Sequence, residues 1–183
     1  MLQTVVKTIS TALAAAILLV SSLVTYYDWH EVRPYIPNIH ATLESSSQED
    51  RNVPSSVENF IWKTEKSTID WQIVRNLLPE RYGQMRIGVW HFRGFMWSLL
   101  LPLHFDKHTR TALYCHYLVY ENGQGFSNAS EFYFKKQPHT LSAEEIAAIL
   151  AIGRAPNQNS PTRHPEAFEL AKKRLLEAYE SRP

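Results

Sequence analysis

The chain has 183 residues, enough for one domain with its own apolar core and a small appendage. Its charges nearly cancel at +1, which excludes the strongly basic surface of a general nucleic-acid binder. One cysteine, Cys115, excludes an internal disulfide framework, while five tryptophans, nine tyrosines and eight phenylalanines suit a protein that faces lipid or sugar.

Residues 5–24 are almost wholly apolar or small, interrupted by Lys7 and scattered Ser and Thr. As a helix this stretch is about long enough to cross a ~30 Å hydrocarbon layer. Its hydroxyls are tolerated because they bond back to the helix backbone. Tyr26, Tyr27 and Trp29 follow as an interfacial aromatic belt. Lys7 and the amino terminus precede the span, and Asp28 and Glu31 follow it, with Arg33 counting the other way. The balance favours an amino end in the cytoplasm and the body outside. A cleaved signal peptide shares the basic start and apolar middle. No A-x-A-like site ends the run, so residues 1–27 are read as a retained single-span anchor.

Pro34 and Pro37 are expected to stop the anchor helix. Residues 45–52 and Pro54-Ser55-Ser56 are polar and turn-rich. A short helix over Ser56 to Trp62, capped by Ser55 or Ser56, is expected next.

Ser67 to Leu77 carries the strongest pattern. Ile69, Ile73, Val74 and Leu77 recur at helical spacing. Ser67 or Thr68 is expected to cap the first turn, Asp70 suits its positive end, and Leu78-Pro79 is expected to end the helix. Gln72, Arg75 and Asn76 lie three and four apart and share a polar stripe. Such a face is either solvated or offers amide and guanidinium groups to an anion.

Val89 to Leu101 is a strongly apolar run, too short and interrupted for a second span, and reads as a buried or membrane-grazing helix. His104 and His108, with His116 beyond, have the i,i+4 spacing of a helical metal pair. Lys107 and Arg110 add positive charge beside them and no second acidic ligand is near, so no metal is assigned. In the carboxyl half, Ser142 with Glu145 forms a capping box and Leu141 with Ile146 a hydrophobic staple. Gly153 and Pro156 stop that helix, and Pro165 opens another with a stripe of Phe168, Ala171, Leu175 and Tyr179. The Gly123–Gly125 loop is not read as a phosphate cradle, because no strand is expected before it.

These blocks, in this order, resemble the bacterial peptidoglycan glycosyltransferases. This is the transglycosylase family, glycosyltransferase family 51, shared with bifunctional penicillin-binding proteins. Ser67, Thr68, Ile69, Gln72, Asn76 and Leu77 match its S-T-I-x-Q-Q-x-x-K-N-L motif, with Arg75 on the lysine. Lys66 replaces a glycine and Trp71 the first glutamine. Residues 106–114 resemble the S-K-x-x-I-L block, with Lys107 on its lysine. Residues 114–126 look like Y-L-N…G-x-G-x-(Y/F)-G, residues 128–136 like A-(A/S)-x-x-Y-F-x-K, and residues 141–151 like L-(T/S)-x-x-E-x-A-x-L-A. The resemblance covers about residues 61–179.

The family implies an all-α, lysozyme-like glycosyltransferase domain behind an N-terminal transmembrane helix. The division is then 1–27 anchor, 28–60 linker with a degenerate N-terminal part, and 61–183 glycosyltransferase-like domain. It also implies a ligand, a lipid-linked disaccharide or a peptidoglycan glycan strand, held by Ser67, Thr68, Gln72, Arg75, Asn76, Arg93 and Lys107. No cofactor and no nucleic acid are implied. The expected location is the bacterial inner membrane, with the domain outside the cytoplasm and cell-wall synthesis proteins as further partners.

Family members carry a catalytic glutamate in E-D-x-x-F before the S-T-I block, and after that block one in R-K-x-x-E and another ahead of the S-K-x-x-I-L turn. Glu49-Asp50 is the only Glu-Asp pair, too close to Ser67 for the family spacing, so Glu49 is a candidate base against the alternative of a solvated loop pair. Counted back without gaps, two glutamate positions fall on Gly94 and Pro102, and from Arg81 to Tyr120 the only acid is Asp106. General base catalysis is typically worth ~10²–10⁴ in rate. Two functions therefore stand: a divergent polymerising enzyme, or a non-catalytic relative that binds glycan or scaffolds cell-wall enzymes.

Overall fold

The computed structural model describes residues 2–182, with side chains from Ile9 onward. Lys7 and the amino terminus, on which the orientation of the anchor rests, lie outside the described side chains. The chain divides into two units, Met1–Ile39 and His40–Pro183.

In the first unit, α1 (Leu2–Tyr27) exposes Ile9, Leu13, Ile17, Leu18 and Leu23 among its described side chains. It belongs to one helix long and apolar enough to cross a membrane, with none of its apolar window buried. The expected stop at Pro34 and Pro37 does not occur. A π-helical turn (Asp28–Val32) runs into a 3₁₀ turn (Arg33–Tyr35) and then α2 (Ile36–Ser45). The wide turn changes the hydrogen-bond register just before Pro34, which occupies an early position of the 3₁₀ turn. Arg33 Nε donates to Asp28 Oδ2 at 2.8 Å, five residues back, a separation that the i→i+5 turn brings into line.

The second unit is almost entirely helical: α3 (Gln48–Arg51), α4 (Ser55–Glu65), α5 (Ile69–Tyr82), α6 (Ile87–His104), α7 (Lys107–Tyr117), α8 (Phe126–Phe134), α9 (Ala143–Arg154) and α10 (Pro165–Glu180). A minimal antiparallel hairpin, β1 (Val119–Tyr120) with β2 (Gly123–Gln124), joins α7 to α8. A short strand therefore does precede Gly123, contrary to expectation.

The motif helix α5 is the hub. Ile69, Ile73, Val74, Leu77 and Leu78 are buried, and α5 packs against both α6 and α7. It runs past Pro79 to Tyr82, so the proline does not end it; Gly83, at φ 63°, terminates it instead. Neither expected hydroxyl cap forms at α4 or α5. At α5 the reason is local: Thr68 Oγ1 donates back to Glu65 Oε2 at 2.7 Å.

Helix α6 buries Met96, Trp97, Leu100 and Leu101 and leaves Phe92, Phe95, Leu99 and Leu103 exposed. Gly94 faces α5 so closely that a Cβ there would lie 2.7 Å from Trp71 Cζ3. Trp71 in turn meets Trp90 edge-on at 5.1 Å between ring centroids.

Helix α7 begins afresh with Asp106, whose side chain accepts from Thr109 N at 2.7 Å. His104 and His108 therefore lie on different helices, and the i,i+4 face is not realised. The Ser142–Glu145 capping box forms as expected, with Ser142 N donating to Glu145 Oε2 at 2.8 Å. Helix α10 starts at Pro165 and packs on α9 and α4, burying Leu175, while Tyr179 stacks on Phe60 at 4.5 Å.

Candidate functional site

The polar stripe of α5 opens into a cavity of about 190 Å³. Gln72, Arg75 and Asn76 form one wall, Tyr114, Tyr117, Leu118 and Val119 another, and Gly153, Arg154 and Pro156 a third. Gln72 organises its own neighbours: Arg75 Nη1 donates to Gln72 Oε1 at 3.2 Å, and Asn76 Nδ2 donates to Gln72 O at 3.0 Å. Arg75 is exposed and has no carboxylate partner among the described residues.

A second cavity, of about 360 Å³, adjoins the first and shares Gln72 and Arg154 with it. Its other lining comes from the end of α9, the following turn and α10, including Ala151, Asn159, Ala171 and Arg174. Among the described residues no acid lines either cavity.

The cavities are held from behind by a buried carboxylate. Glu65, 1% exposed, places Oε1 3.1 Å from Arg154 Nη1 while Oε2 accepts from Thr68. Tyr114 lines the first cavity and is itself buried, and its hydroxyl has no partner among the described residues. Burial, and then the Glu65 carboxylate, push that phenol well above its ordinary value, so it is a neutral O–H at any physiological pH.

The sequence-derived residues separate into four places. Gln72, Arg75 and Asn76 come together in the first cavity. Ser67 and Thr68 lie in the turn before α5, Ser67 exposed and Thr68 engaged by Glu65. Arg93 stacks 3.8 Å above the Tyr82 ring, and Lys107 pairs with Glu58 at 3.2 Å, so neither lines the two cavities. Tyr114, Arg154 and Arg174 reach the cavities from other helices, and sequence reasoning did not select them.

Glu49 is exposed and lines a different cavity, with Ser127, Asn128, Glu131 and Lys136. Its neighbour Asp50 is buried and structural: Oδ1 accepts from Ser127 N at 2.8 Å. Gly125, at φ 104°, is required there, because a Cβ would lie 2.5 Å from Asp50 Oδ2.

Burial raises the Asp50 carboxyl above its ordinary 3.8, against the bonds from Ser127 and Ser47. The native state thus holds this proton more tightly than the unfolded chain does. The Asp50 contribution to stability therefore falls as pH rises from 3.8 through the raised native value, and is constant above it. Asp50→Asn keeps an acceptor for Ser127 N. Its stability relative to wild type is expected to improve across that window and then level off. Guanidinium unfolding between pH 3.5 and 7 checks this; parallel curves for the two proteins would contradict it.

Residues 52–180 match the protein family described as Transglycosylase. The chain is 31% identical over 114 residues to penicillin-binding protein 1C of Escherichia coli (strain K12), covering 61% of this chain and 14% of that protein. It is 28% identical over 149 residues to the biosynthetic peptidoglycan transglycosylase of Haemophilus influenzae (strain PittEE), covering 69% of this chain and 57% of the relative. With penicillin-binding protein 1A of Aquifex aeolicus (strain VF5) the identity is 29% over 116 residues, 61% of this chain and 16% of the other. The chain thus spans at most 57% of the length of these relatives.

Proposed function

The chain belongs to the transglycosylase family, and on that premise we propose that it is a membrane-tethered, non-polymerising member. It binds lipid-linked disaccharide or a peptidoglycan strand outside the bacterial inner membrane. The observation that carries this reading is the first cavity. Gln72, Arg75 and Asn76 of the motif helix share it with Arg154 and Tyr114, giving cationic and neutral donors but no carboxylate. Arginine holds phosphate through two parallel N–H bonds, and amide groups suit sugar hydroxyls. Proton abstraction from a sugar hydroxyl needs a base within hydrogen-bond reach, and no carboxylate lines the cavity among the described residues. The relative named as a biosynthetic peptidoglycan transglycosylase supports the substrate class.

The test is binding and polymerisation of lipid-linked disaccharide by the detergent-solubilised full chain. Arg75→Ala is expected to weaken binding about tenfold, the size of one lost charge-assisted hydrogen bond. No glycan product is expected, and Glu49→Gln should leave binding unchanged. Product that disappears in Glu49→Gln would reinstate an enzyme with Glu49 as base. A second reading, a scaffold for cell-wall synthesis proteins, draws on α6, whose exposed Phe92, Phe95, Leu99 and Leu103 form an uncharged face. Absence of any disaccharide binding would favour it.

A further inference from the structure

The second cavity is bounded by parts of the chain that meet only in the folded domain. Gln72 comes from α5, Ala151 and Arg154 from the end of α9, Asn159 from the turn beyond it, and Arg174 from α10. At about 360 Å³ it falls within the roughly 300–1,000 Å³ typical of small-molecule sites. Its apolar lining is mostly short, because Ala151, Ala155, Ala167 and Ala171 supply methyl groups where larger side chains would close the space.

Backbone carbonyls at the cavity are already engaged. Ala155 O accepts from Gln158 N at 2.9 Å and from Asn159 N at 2.8 Å, and Ala151 O accepts from Asn159 Nδ2 at 2.7 Å. Side-chain atoms are what remain for a ligand. Asn159 has used its amide nitrogen, which leaves Oδ1 as an acceptor. Gln72 Oε1 is taken by Arg75 Nη1, which leaves Nε2 as a donor.

The charge is also unmatched. On α10, Lys172 pairs with Glu169 at 2.7 Å and Lys173 with Glu177 at 3.8 Å, whereas Arg174 between these pairs has no carboxylate among the described residues. Arg154 lies 3.1 Å from Glu65 Oε1, so Arg174 is the cation of this cavity left to a ligand.

We propose that the second cavity binds the C-terminal residue of a peptide with a small apolar side chain. Arg174 takes the terminal carboxylate through parallel N–H groups, Gln72 Nε2 donates to a peptide carbonyl, and Asn159 Oδ1 accepts a peptide N–H. The alanine methyls receive the side chain. Peptide ends carry a carboxylate, an acceptor, a donor and a short apolar group together, and the cavity answers all four. An inorganic phosphate would meet the cation but would set its oxygens against Asn159 Oδ1 and leave the methyl lining unfilled. The inference goes beyond the reading of the first cavity, with which this one shares Gln72 and Arg154.

The test titrates the full chain in detergent, by calorimetry at low salt, with acetyl-alanyl-alanine as each enantiomer, with its C-terminal amide and with acetate. One enantiomer of the free acid is expected to bind, and its amide about tenfold more weakly. Acetate, which meets the cation alone, should bind more weakly than the acid. Arg174→Gln should weaken the acid about tenfold and erase its preference over the amide. Arg174→Lys, which keeps the charge, should restore part of the binding. Ala171→Leu leaves the charge unchanged but fills the floor, so it should weaken acid and amide alike. Arg163→Gln removes an exposed cation outside the cavity and should change nothing. Circular dichroism checks the helicity of each variant.

No binding of either enantiomer, equal binding of acid and amide, or acetate bound as tightly as the dipeptide overturns the proposal. So does an Arg163→Gln loss as large as that of Arg174→Gln, which would mean a general surface charge effect. Lipid-linked disaccharide titrated in parallel separates the two readings. Disaccharide binding that depends on Arg75, with no dipeptide binding, leaves the first reading standing and ends this one; the reverse result does the opposite.

Discussion

Replacing Gly94 by glutamate is expected to destabilise the domain by about 4 kcal/mol, combining overpacking with burial of an unpaired acid. The position is one of the two on which the family glutamates fall. A Cβ at Gly94 would lie 2.7 Å from Trp71 Cζ3 and 3.0 Å from Cη2. Trp71 is itself a departure, standing where the motif has glutamine. The two departures are thus in contact, the ring of one occupying the space vacated by the other. At about 2–4 °C per kcal/mol for a chain of this size, Gly94→Glu should lower Tm by roughly 10 °C. Adding Trp71→Gln should recover much of that loss, because it removes the ring that the new side chain strikes. Thermal unfolding of wild type, both single variants and the double variant measures the coupling directly. Additive losses would mean that the contact does not govern the site.

The second large effect is expected at Arg110. Its Nη1 lies 3.0 Å from Asp70 Oδ1 and 2.9 Å from Oδ2, and its guanidinium sits 4.8 Å from the Trp62 ring centroid. Both members of the ion pair are largely buried, 13% and 19% exposed, and they tie α7 to the first turn of α5. Burial already raises the Asp70 carboxyl above its ordinary value, with Arg110 pulling it back. Arg110→Ala leaves burial unopposed and should cost about 3 kcal/mol at pH 7. A carboxyl whose native value is raised destabilises as pH climbs through that value, so the deficit should shrink on acidification. Asp70→Asn in the same background should remove most of the pH dependence. Denaturant unfolding at pH 4.5 and pH 7 distinguishes this from simple loss of packing, which would give equal deficits.

Local patterns carried much of the fold. The apolar spacing of α5, the capping box of α9 and the proline start of α10 depend on residues within one or two turns of each other, and all three appear as expected. Gln72, Arg75 and Asn76 share one cavity wall because one helix face supplies all three. What failed depends on competition or distance. Thr68 is a good cap by type, but Glu65 takes its hydroxyl. Pro34 is a helix breaker by type, but a π turn before it resets the register. Arg154 and Arg174 face Gln72 only once α9 and α10 have docked, and nothing in their spacing along the chain announces it. Trp71 and Gly94 were visible as two separate oddities; only their contact makes them one.

The stacking of Tyr179 on Phe60 has a consequence for the order in which the protein can be made. Lys63 Nζ donates to Arg182 O at 2.7 Å and Arg182 Nη1 returns a bond to Lys63 O, so this seam joins residues 119 apart. Synthesis delivers α4 long before α10, and until residues 165–182 emerge Phe60 has no ring to cover it. Contacts of such separation form late and slowly. Until α10 emerges, a nascent chain therefore leaves Phe60 without this ring, an apolar edge open to non-native association. Docking of α10 against α4 closes that edge.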